Sequence, residues 1–265
     1  MPHLPLAELF VMVTRPNPAG MALCALIEAA GGEAIHFPTI AFIPANQALL
    51  QTAIAKLGEQ EWLIFISPQS VYASIPAIRR VWSTFPPQVK FAAIGAGTAA
   101  ALNAAGYAVS AYPNGEWNSE GLLSLPEFQE IHTTKVAIIR GEGGRELLAH
   151  TLSERGAEVL HVVAYQRIVP PIDVSVYIAL LKQQKVNAIV CGSYESVRNL
   201  KTMVGAEGWP YIKNVPLLVM SDRVKSLAHD LDFQTIWVTP NANNEAITAA
   251  LVQKRNEICQ IQLTK

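Results

Sequence analysis

Short apolar runs alternate with segments of helical periodicity along most of the chain. The runs LFVMVTRP, WLIFISP and KFAAIG are followed in turn by GMALCALIEAAGG, QSVYASIPAIRR and TAAALNAAG. Strands that are apolar without alternation are typical of parallel sheets covered by helices on both faces. The pattern therefore predicts an α/β protein built on parallel sheets.

The same order of residues occurs twice, at a spacing of 125 or 126 positions. SPQSV at 67–71 recurs as SYESV at 193–197. Four more residues recur 125 positions later, namely Arg15, Glu33, His36 and Glu120 as Arg140, Glu158, His161 and Glu245. Coincidence among generic βα units is the alternative, but the matches keep one order and one type of element. We expect two similar α/β units of about 125 residues.

One strand–helix junction, FAAIGAGTAAALNAAG at 91–106, resembles a dinucleotide-binding fingerprint through Gly95, Gly97 and Ala100. Such a site also needs an acidic residue about 20 positions on, at the end of the next strand, to bind the ribose hydroxyls. That strand, AVSAYPNG at 108–115, ends without one. A nucleotide-dependent oxidoreductase is therefore an alternative that the missing acid weakens.

The two repeats share a different feature at these junctions. The turn that matches Gly95 and Gly97 has Ser221 and Arg223 in the second repeat, so the glycines are not common to both. Common to both is a strand that ends in a small or hydroxyl residue before a helix, at Ser67, Gly95, Ser193 and Ser221. Helix N-termini present N–H groups that lack helical partners and favour anions. The pattern indicates several anion-binding strand ends.

Composition describes a globular protein without a strongly charged surface. Hydrophobic residues make up 51% and charged residues 15%, and 20 Lys and Arg against 21 Asp and Glu give a net charge of -1. No run of like charge is present to bind nucleic acid or anionic lipid, so these partners are not expected. No apolar stretch has the length of a membrane span and the N-terminus lacks the basic region of a signal peptide, so a cytoplasmic protein is predicted.

The three cysteines, Cys24, Cys191 and Cys259, lie far apart and form no CxxC pair. Neither a zinc site nor a disulfide framework is indicated, and reduced cysteines are expected. Motifs for a catalytic serine, a zinc protease or a P-loop are absent as well. The residues therefore indicate no metal site.

Two arginines follow predicted strands, Arg15 in VMVTRP and Arg140 in VAIIRGEGG. Ligands bind at the carboxyl ends of parallel strands, so both are candidate carboxylate clamps, although a solvated loop arginine is an equal alternative. Gly141 follows Arg140, and its backbone could approach a ligand closely. His36 and His161 occupy equivalent predicted strand ends, which favours a structural role over a metal site.

Two β-prone segments flanked by proline follow the second strand of each repeat. They are HFPTIAFIP at 36–44 and HVVAYQRIVPP at 161–171. The two could pair as a two-stranded hinge between units. Tyr165 lies in the second segment, where packing against a neighbouring domain is the simplest interpretation.

Taken together, these motifs resemble those of the uroporphyrinogen-III synthase family over nearly the whole chain. The stretches that carry the resemblance are VTRP, IFISPQSV, FAAIGAGTAAAL, WNSEGLL, IIRGEGGRELLAHTLSERGAEV, VVAYQR and VMSDRVKSLA. Each is short, but their order and spacing together are specific to the family. The family consists of enzymes of haem and other tetrapyrrole synthesis.

The resemblance implies two similar flavodoxin-like α/β domains with parallel sheets, joined by a two-stranded β linker. It places residues 1–36 and 171–265 in one discontinuous domain and residues 45–162 in the other. Residues 37–44 and 163–170 would be the linker strands. The repeat alone would predict two consecutive domains instead.

The activity that the resemblance implies is the cyclisation of hydroxymethylbilane to uroporphyrinogen III, with loss of water and inversion of ring D. Electron-rich pyrroles expel the terminal hydroxyl themselves, so no cofactor, metal or protein nucleophile is required. The tyrosine of the family's linker motif matches Tyr165. A phenol remains protonated near neutrality and can donate its proton to the departing hydroxyl, so Tyr165 is expected to be the general acid.

The substrate implied by the resemblance carries eight carboxylates, for which the strand ends would provide donors across an interdomain cleft. Seven residues are expected to bind it: Arg15, Ser67, Thr98, Ser119, Gly141, Ser193 and Ser221. Thr98 matches a threonine of the family, whereas Val224 stands where many members have a second threonine. Ser221 is the expected substitute there. A monomer is expected.

A non-catalytic two-domain binding protein for a small carboxylate or phosphate is the alternative from another functional class. Its hinge and anion-binding turns would be the same, and Tyr165 would serve for packing only. Replacement of Tyr165 by phenylalanine separates these interpretations, because only a general acid predicts a loss of kcat in a folded protein.

Overall fold

The computed structural model of the protein describes residues 4–144, 146–239 and 241–263. The chain divides into two compact units. Unit 1 contains the residues up to Ala41 and those from Ile168 onward, and unit 2 contains Phe42–Arg167. Residues 1–3, 264 and 265, at the outer ends of the predicted discontinuous domain, lie outside the described residues.

The strands are β1 (Phe10–Val13), β2 (Glu33–His36), β3 (Ala41–Pro44), β4 (Trp62–Phe65), β5 (Lys90–Ala93), β6 (Val109–Ala111), β7 (Lys135–Gly141), β8 (Glu158–Ile168), β9 (Ala188–Cys191), β10 (Leu217–Val219) and β11 (Ile236–Val238). The helices are α1 (Ala19–Ala29), α2 (Gln47–Ala55), α3 (Pro68–Val81), α4 (Ala96–Ala104), α5 (Ser119–Leu123), α6 (Leu147–Glu154), α7 (Ser175–Lys182), α8 (Tyr194–Ile212), α9 (Asp222–His229) and α10 (Asn244–Leu263). Short 3-10 turns occupy Leu57–Glu59 and Pro126–Phe128, and α8 is interrupted at Gly205, whose φ is 59°.

Each unit contains one sheet with helices on its faces. The sheet of unit 1 has the order β11-β10-β9-β1-β2, and its neighbouring strands are parallel. The sheet of unit 2 has the order β3-β8-β7-β4-β5-β6, with parallel pairs from β8 to β6. The predicted α/β class with two similar parallel sheets is confirmed.

The strand registers reproduce the sequence repeat. β1 pairs with β2 through Phe10 and Glu33, and β7 pairs with β8 through Lys135 and Glu158, at an offset of 125 residues. The pairs β1–β9 and β9–β10 repeat in the same way as β7–β4 and β4–β5. The pair β5–β6 differs from β10–β11 by a register irregularity between Phe91 and Ala92. The repeats nevertheless exchange strands, because β1 and β2 of the first repeat join β9, β10 and β11 of the second. Numbered along the chain, the strands of unit 1 follow the doubly wound order 2-1-3-4-5. The five corresponding strands of unit 2 occupy equivalent places, but their order along the chain is 5-4-1-2-3, because β7 and β8 come after β4, β5 and β6.

The apolar strands have both faces buried. In β4, Leu63 and Phe65 pack into one core cluster, whereas Trp62 and Ile64 pack into another. All four side chains are at most 6% exposed. Because alternate residues of this strand face two covered layers, the strand has no polar positions, which explains the uninterrupted apolar run in the sequence.

Of the two segments predicted as linker strands, residues 41–44 form β3 and residues 163–168 form the later part of β8, whereas residues 37–40 and 169–170 are not in strands. β3 and β8 are neighbours at the edge of the unit 2 sheet. The amide of Ala45 donates a hydrogen bond to the carbonyl of Ala164 at 3.4 Å. β8 runs from Glu158 through Ile168 without a break and pairs with β7 as far as Tyr165. His161 therefore lies within a strand, and its predicted position at a strand end is wrong.

The predicted strand-end residues begin helices. Ser67, Ser193 and Ser221 are the N-caps of α3, α8 and α9, and each hydroxyl accepts a hydrogen bond from the amide three residues later. Gly95 is the N-cap of α4. Serine at this position supplies an acceptor for an N–H group that the helix itself cannot satisfy. The prediction of helix N-termini at these four residues is confirmed.

Candidate functional site

Tyr165 reaches across β7 because Gly141 has no side chain. Tyr165 lies on β8 opposite Gly141, next to a register irregularity between Arg140 and Gly141. A Cβ atom on Gly141 would lie 2.6 Å from both Cε2 and Cζ of the tyrosine ring. Non-bonded carbon atoms do not approach each other this closely, so this position of the ring requires glycine at 141.

The phenol of Tyr165 ends at the N-terminus of α3. Its Oη lies 3.2 Å from Oγ of Ser67, which also accepts the amide hydrogen of Ser70. Phe42 contacts the ring edge to face, with centroids 5.3 Å apart. The Tyr165 carbonyl accepts a hydrogen bond from the amide of Glu142 at 2.8 Å, and the residue is 2% exposed. Unit 2 therefore fixes the tyrosine at both its backbone and its hydroxyl.

Two other predicted site residues lie near helix starts of unit 2. β4 and β5 are parallel neighbours, so α3 and α4 begin at the same edge of the sheet. Thr98 is the third residue of α4 and is 2% exposed. Ser119 is the first residue of α5, and the cap of that helix is Asn118, whose Oδ1 accepts the amide of Gly121 at 2.7 Å.

The glycine turn before α4 has a packing explanation. A Cβ atom on Gly95 would lie 2.7 Å from Cβ of Trp117, so the close approach of the tryptophan requires glycine there. A Cβ atom on Gly97 would make only an ordinary contact, 3.8 Å from Pro68. These contacts explain Gly95 without a dinucleotide phosphate.

Arg140 is engaged within unit 2. Its side chain is 7% exposed and forms an ion pair with Glu146 at 3.0 Å. It also donates to the carbonyl of Gly143 at 2.6 Å and lies 3.5 Å from Nδ1 of His161. The hydrogen bond from Arg140, followed by its charge, lowers the pKa of Glu146. These contacts favour a structural role for Arg140, and its candidate role as a carboxylate clamp stays a prediction.

In unit 1, Arg15 follows β1 by two residues and is oriented by the start of α10. Its Nη1 donates hydrogen bonds of 2.8 Å to the carbonyl of Ala242 and to Oδ1 of Asn244. The other end of the Asn244 amide donates to the carbonyl of Ala19 at 3.2 Å. Burial lowers the pKa of Arg15, but a guanidinium stays charged at neutral pH. Asn244 was not recognised from the sequence.

A buried hydroxyl network lies at the β1–β9 junction of unit 1. Oγ of Ser196 is 2.9 Å from Oγ1 of Thr14 and 2.6 Å from Oγ1 of Thr39. Thr14 also donates to the carbonyl of Val190 at 2.8 Å and contacts Sγ of Cys191. Burial raises the pKa of Cys191 to about 12. The network ties β1 to β9 and the start of α8, beneath the cap formed by Ser193.

The remaining predicted residues of unit 1 lie at the starts of α8 and α9. Ser193 is half-buried and Ser221 is exposed. Val224, which the repeat aligns with Thr98, is 9% exposed and supplies the backbone amide bound by Ser221 at 3.3 Å. Val224 contributes only its backbone amide to this turn, and the side-chain hydroxyl there is that of Ser221.

The site residues offer hydroxyls, backbone amides and one guanidinium. Within the described ranges, no group of three or more His, Cys, Asp or Glu side chains is arranged to hold a metal ion. None of the described helices has both the length and the apolar character needed to cross a membrane. Hydroxyl, amide and guanidinium donors suit carboxylates, which accept several hydrogen bonds at once.

The sequence matches the family model described as Uroporphyrinogen-III synthase HemD over residues 22–249. It is similar to the uroporphyrinogen-III synthase of Escherichia coli, with 36% identity over 245 residues, which cover 91% of this chain and 99% of that protein. The Salmonella typhimurium protein of the same name is 35% identical over 91% of this chain and 99% of its own length.

Solved structures show the same fold. A mutant uroporphyrinogen III synthase from Thermus thermophilus aligns with a TM-score of 0.61 and 17% identity, over 94% of this chain and 99% of that one. The Helicobacter pylori protein aligns with a TM-score of 0.57 and 11% identity, over 92% and 99%. Because these sequence identities are low, the structural similarity shows only that the fold is the same. The family assignment rests on the sequence matches. The chain belongs to the uroporphyrinogen-III synthase family.

Proposed function

We propose that this protein is a uroporphyrinogen-III synthase, a cyclising lyase of haem biosynthesis that converts hydroxymethylbilane to uroporphyrinogen III. The observation that carries the proposal is the 36% identity to a protein of that name over nearly the full length of both chains. The position of Tyr165 within unit 2 supports it, because the hydroxyl lies at the strand ends where doubly wound folds bind ligands.

Tyr165 is proposed as the proton donor of the first step. As the electron-rich pyrrole breaks the carbon–oxygen bond of the terminal hydroxymethyl group, the Tyr165 hydroxyl gives its proton to the departing oxygen, which leaves as water. General acids of this kind contribute roughly 10²- to 10⁴-fold to rate. Catalytic hydrogen bonds often form only in the substrate complex, so the present partner of Oη, Ser67, does not preclude this step.

The rest of the catalytic effect is proposed to be geometric. Ring D must attack through its substituted carbon to give a spiro intermediate, and direct head-to-tail closure must be prevented. Holding the two ends of a flexible bilane in one arrangement can supply a large part of a rate enhancement. The protein therefore needs many weak anchors along the substrate more than it needs a reactive group.

The anchors proposed for the substrate carboxylates are strand-end groups from both units. In unit 1 they are Arg15, Ser193 and Ser221. In unit 2 they are Thr98, Ser119 and the backbone around Gly141 and Ser67. Amides at helix N-termini and hydroxyls bind carboxylates without a high net charge, which agrees with a formal charge of -1.

A non-catalytic binding protein is not favoured, because the relatives of similar length are named as the enzyme. Action without a metal or cofactor, a monomeric state and a cytoplasmic location stay predictions. The domain division also stays a prediction, with residues 1–36 and 171–265 in one domain and residues 45–162 in the other.

The direct test is to supply freshly prepared hydroxymethylbilane to the purified protein, oxidise the products and separate the uroporphyrin isomers. The bilane closes unaided to isomer I, so a sample without protein gives the background. We expect predominantly isomer III. Isomer I alone, at the unaided rate and from folded protein, would contradict the proposed function.

A further inference from the structure

The hydroxyl of Ser67 contacts two groups at once. It accepts the amide hydrogen of Ser70 at 3.0 Å, and it lies 3.2 Å from Oη of Tyr165. A hydroxyl has one proton and two lone pairs. The amide of Ser70 occupies one lone pair, and either oxygen can be the donor in the contact with the phenol, so the Ser67 hydroxyl is able to donate its proton to the phenol oxygen. In that arrangement the phenol accepts from Ser67 and keeps its own proton for another acceptor.

The second repeat provides an internal comparison. Ser193 caps α8 as Ser67 caps α3, and it accepts the amide of Ser196 at 3.2 Å. At the offset of 125 residues, however, Ile40 stands in place of Tyr165 and Pro16 in place of Gly141. Capping by serine is therefore common to both units, whereas the contact of the capping hydroxyl with a phenol belongs to unit 2.

We propose that Ser67 is a positioning residue for Tyr165, and this inference rests on the proposed function. The Ser67 hydroxyl donates to Oη, which directs the phenolic proton toward the departing hydroxyl of the substrate. When the O–H bond of Tyr165 breaks, its proton leaves in the water formed, and the oxygen becomes a phenolate. The phenolate regains a proton when ring D loses its carbon-bound proton at the end of ring closure.

Two groups stabilise this phenolate. One is the Ser67 hydroxyl, because a hydrogen bond to an ionised oxygen is stronger than one to a neutral oxygen. The other is α3, a helix of 14 residues whose positive end lies beside Ser67. Both groups stabilise the charge that develops during proton transfer more than they stabilise the resting phenol. Their loss should therefore lower kcat and leave KM nearly unchanged.

Substitution of Ser67 by aspartate separates positioning from capping. Aspartate caps helices as well as serine does, so α3 should be retained. Its carboxylate can only accept hydrogen bonds, and it places a negative charge beside the oxygen that must become negative. We expect Ser67→Asp to lower kcat about 100-fold, close to the loss expected without the phenol. A purely structural serine predicts near-wild-type kcat for this variant.

Three further variants complete the set. Ser67→Ala should lower kcat about tenfold, as expected for one lost hydrogen bond to a charged group. Ser67→Thr keeps the hydroxyl and should restore kcat. Asn46→Ala removes the side chain that accepts the amides of Ala48 and Leu49 at the start of α2, so it controls for loss of a cap in the same unit. It should lower stability and leave kcat unchanged.

The decisive measurement is a double-mutant cycle on kcat for isomer III formation. If Ser67 acts through Tyr165, Ser67→Ala should change kcat less than twofold in a Tyr165→Phe background. Equal losses in both backgrounds would overturn the inference, as would a rise in KM with unchanged kcat, which would make Ser67 a direct substrate ligand. Absence of isomer III from the wild-type protein would instead contradict the proposed function itself.

Discussion

The ring of Tyr165 lies directly over the α-carbon of Gly141, and a methyl group there would approach two ring carbons to 2.6 Å. The contact is made between β8 and β7, and it allows the phenol to reach the N-terminus of α3. Tyr165 owes its position to a glycine 24 residues earlier in the chain as much as to its own strand.

Gly141→Ala should therefore displace the phenol and remove most of the activity. We expect kcat to fall about 100-fold, as for loss of a general acid, and stability to fall by roughly 1–3 kcal/mol through overpacking. Steady-state kinetics and thermal unfolding measure the two effects.

Gly58→Ala is a matched control for the steric part of this prediction. A Cβ atom at Gly58 would lie 2.1 Å from the Trp82 ring, in the same unit, but it does not touch Tyr165. We expect a similar loss of stability with kcat retained per folded molecule. Equal losses of kcat in both variants would show that overpacking alone accounts for the result.

Arg15 should depend on Asn244 for its orientation. Asn244→Ala removes one of the hydrogen bonds from Nη1, so KM should rise about tenfold while kcat stays close to the wild-type value. The control is Asn243→Ala, which removes an acceptor for the amide of Ala246 without touching Arg15. Unchanged KM for Asn244→Ala would argue against Arg15 as a carboxylate ligand oriented in this way.

The ion pair between Arg140 and Glu146 predicts a pH dependence of stability. Arg140 lowers the pKa of Glu146 in the folded protein, so the pair stabilises at pH values above the ordinary glutamate pKa. The contribution is lost as pH falls through the lowered folded-state pKa. We expect Glu146→Gln to be less stable than the wild type at neutral pH and equally stable in acid.

Denaturant unfolding at a series of pH values measures that difference. The effect should be small, because Glu146 is largely exposed, and Glu142→Gln on the same turn serves as a comparison. A difference between Glu146→Gln and the wild type that persists unchanged into acid would contradict the assignment.

The three cysteines should differ in reactivity toward iodoacetamide. Burial raises the pKa of Cys24 to about 11 and that of Cys191 to about 12, and the thiolate is the reactive form. Cys259 is only half-buried. Peptide mass mapping of the native protein should find Cys259 alkylated first, and all three only after unfolding. Rapid alkylation of Cys191 in the native protein would show that this thiol is accessible to solvent and contradict its burial in the structure.

Local features of the fold could be predicted from the sequence. Apolar runs without alternation identified strands such as β4, because both faces of a central strand are covered. Serines after these runs identified the starts of α3, α8 and α9, because capping depends on residues that are close in sequence. The repeat identified equivalent strands, and their registers agree with it.

Long-range contacts could not be predicted in this way. The repeat shows that β1 and β7 are equivalent, but it does not show which copy of the later strands each of them joins. The exchange of strands between the repeats was therefore predicted only from the family resemblance. The bond between Arg15 and Asn244 spans 229 residues, and no local pattern marks Asn244 as its partner. Gly141 was expected to offer its backbone to a ligand, and its contact with the Tyr165 ring depends on the pairing of β7 with β8.

We propose that Tyr165 donates the proton that releases water from hydroxymethylbilane. The most direct measurement is kcat for isomer III formation by Tyr165→Phe, with thermal unfolding as a check on folding. Phenylalanine keeps the ring over Gly141 and removes only the hydroxyl, so the fold should be retained. We expect kcat to fall at least roughly 100-fold with KM little changed. A folded variant with near-wild-type kcat would show that the tyrosine serves for packing and that the proton comes from elsewhere.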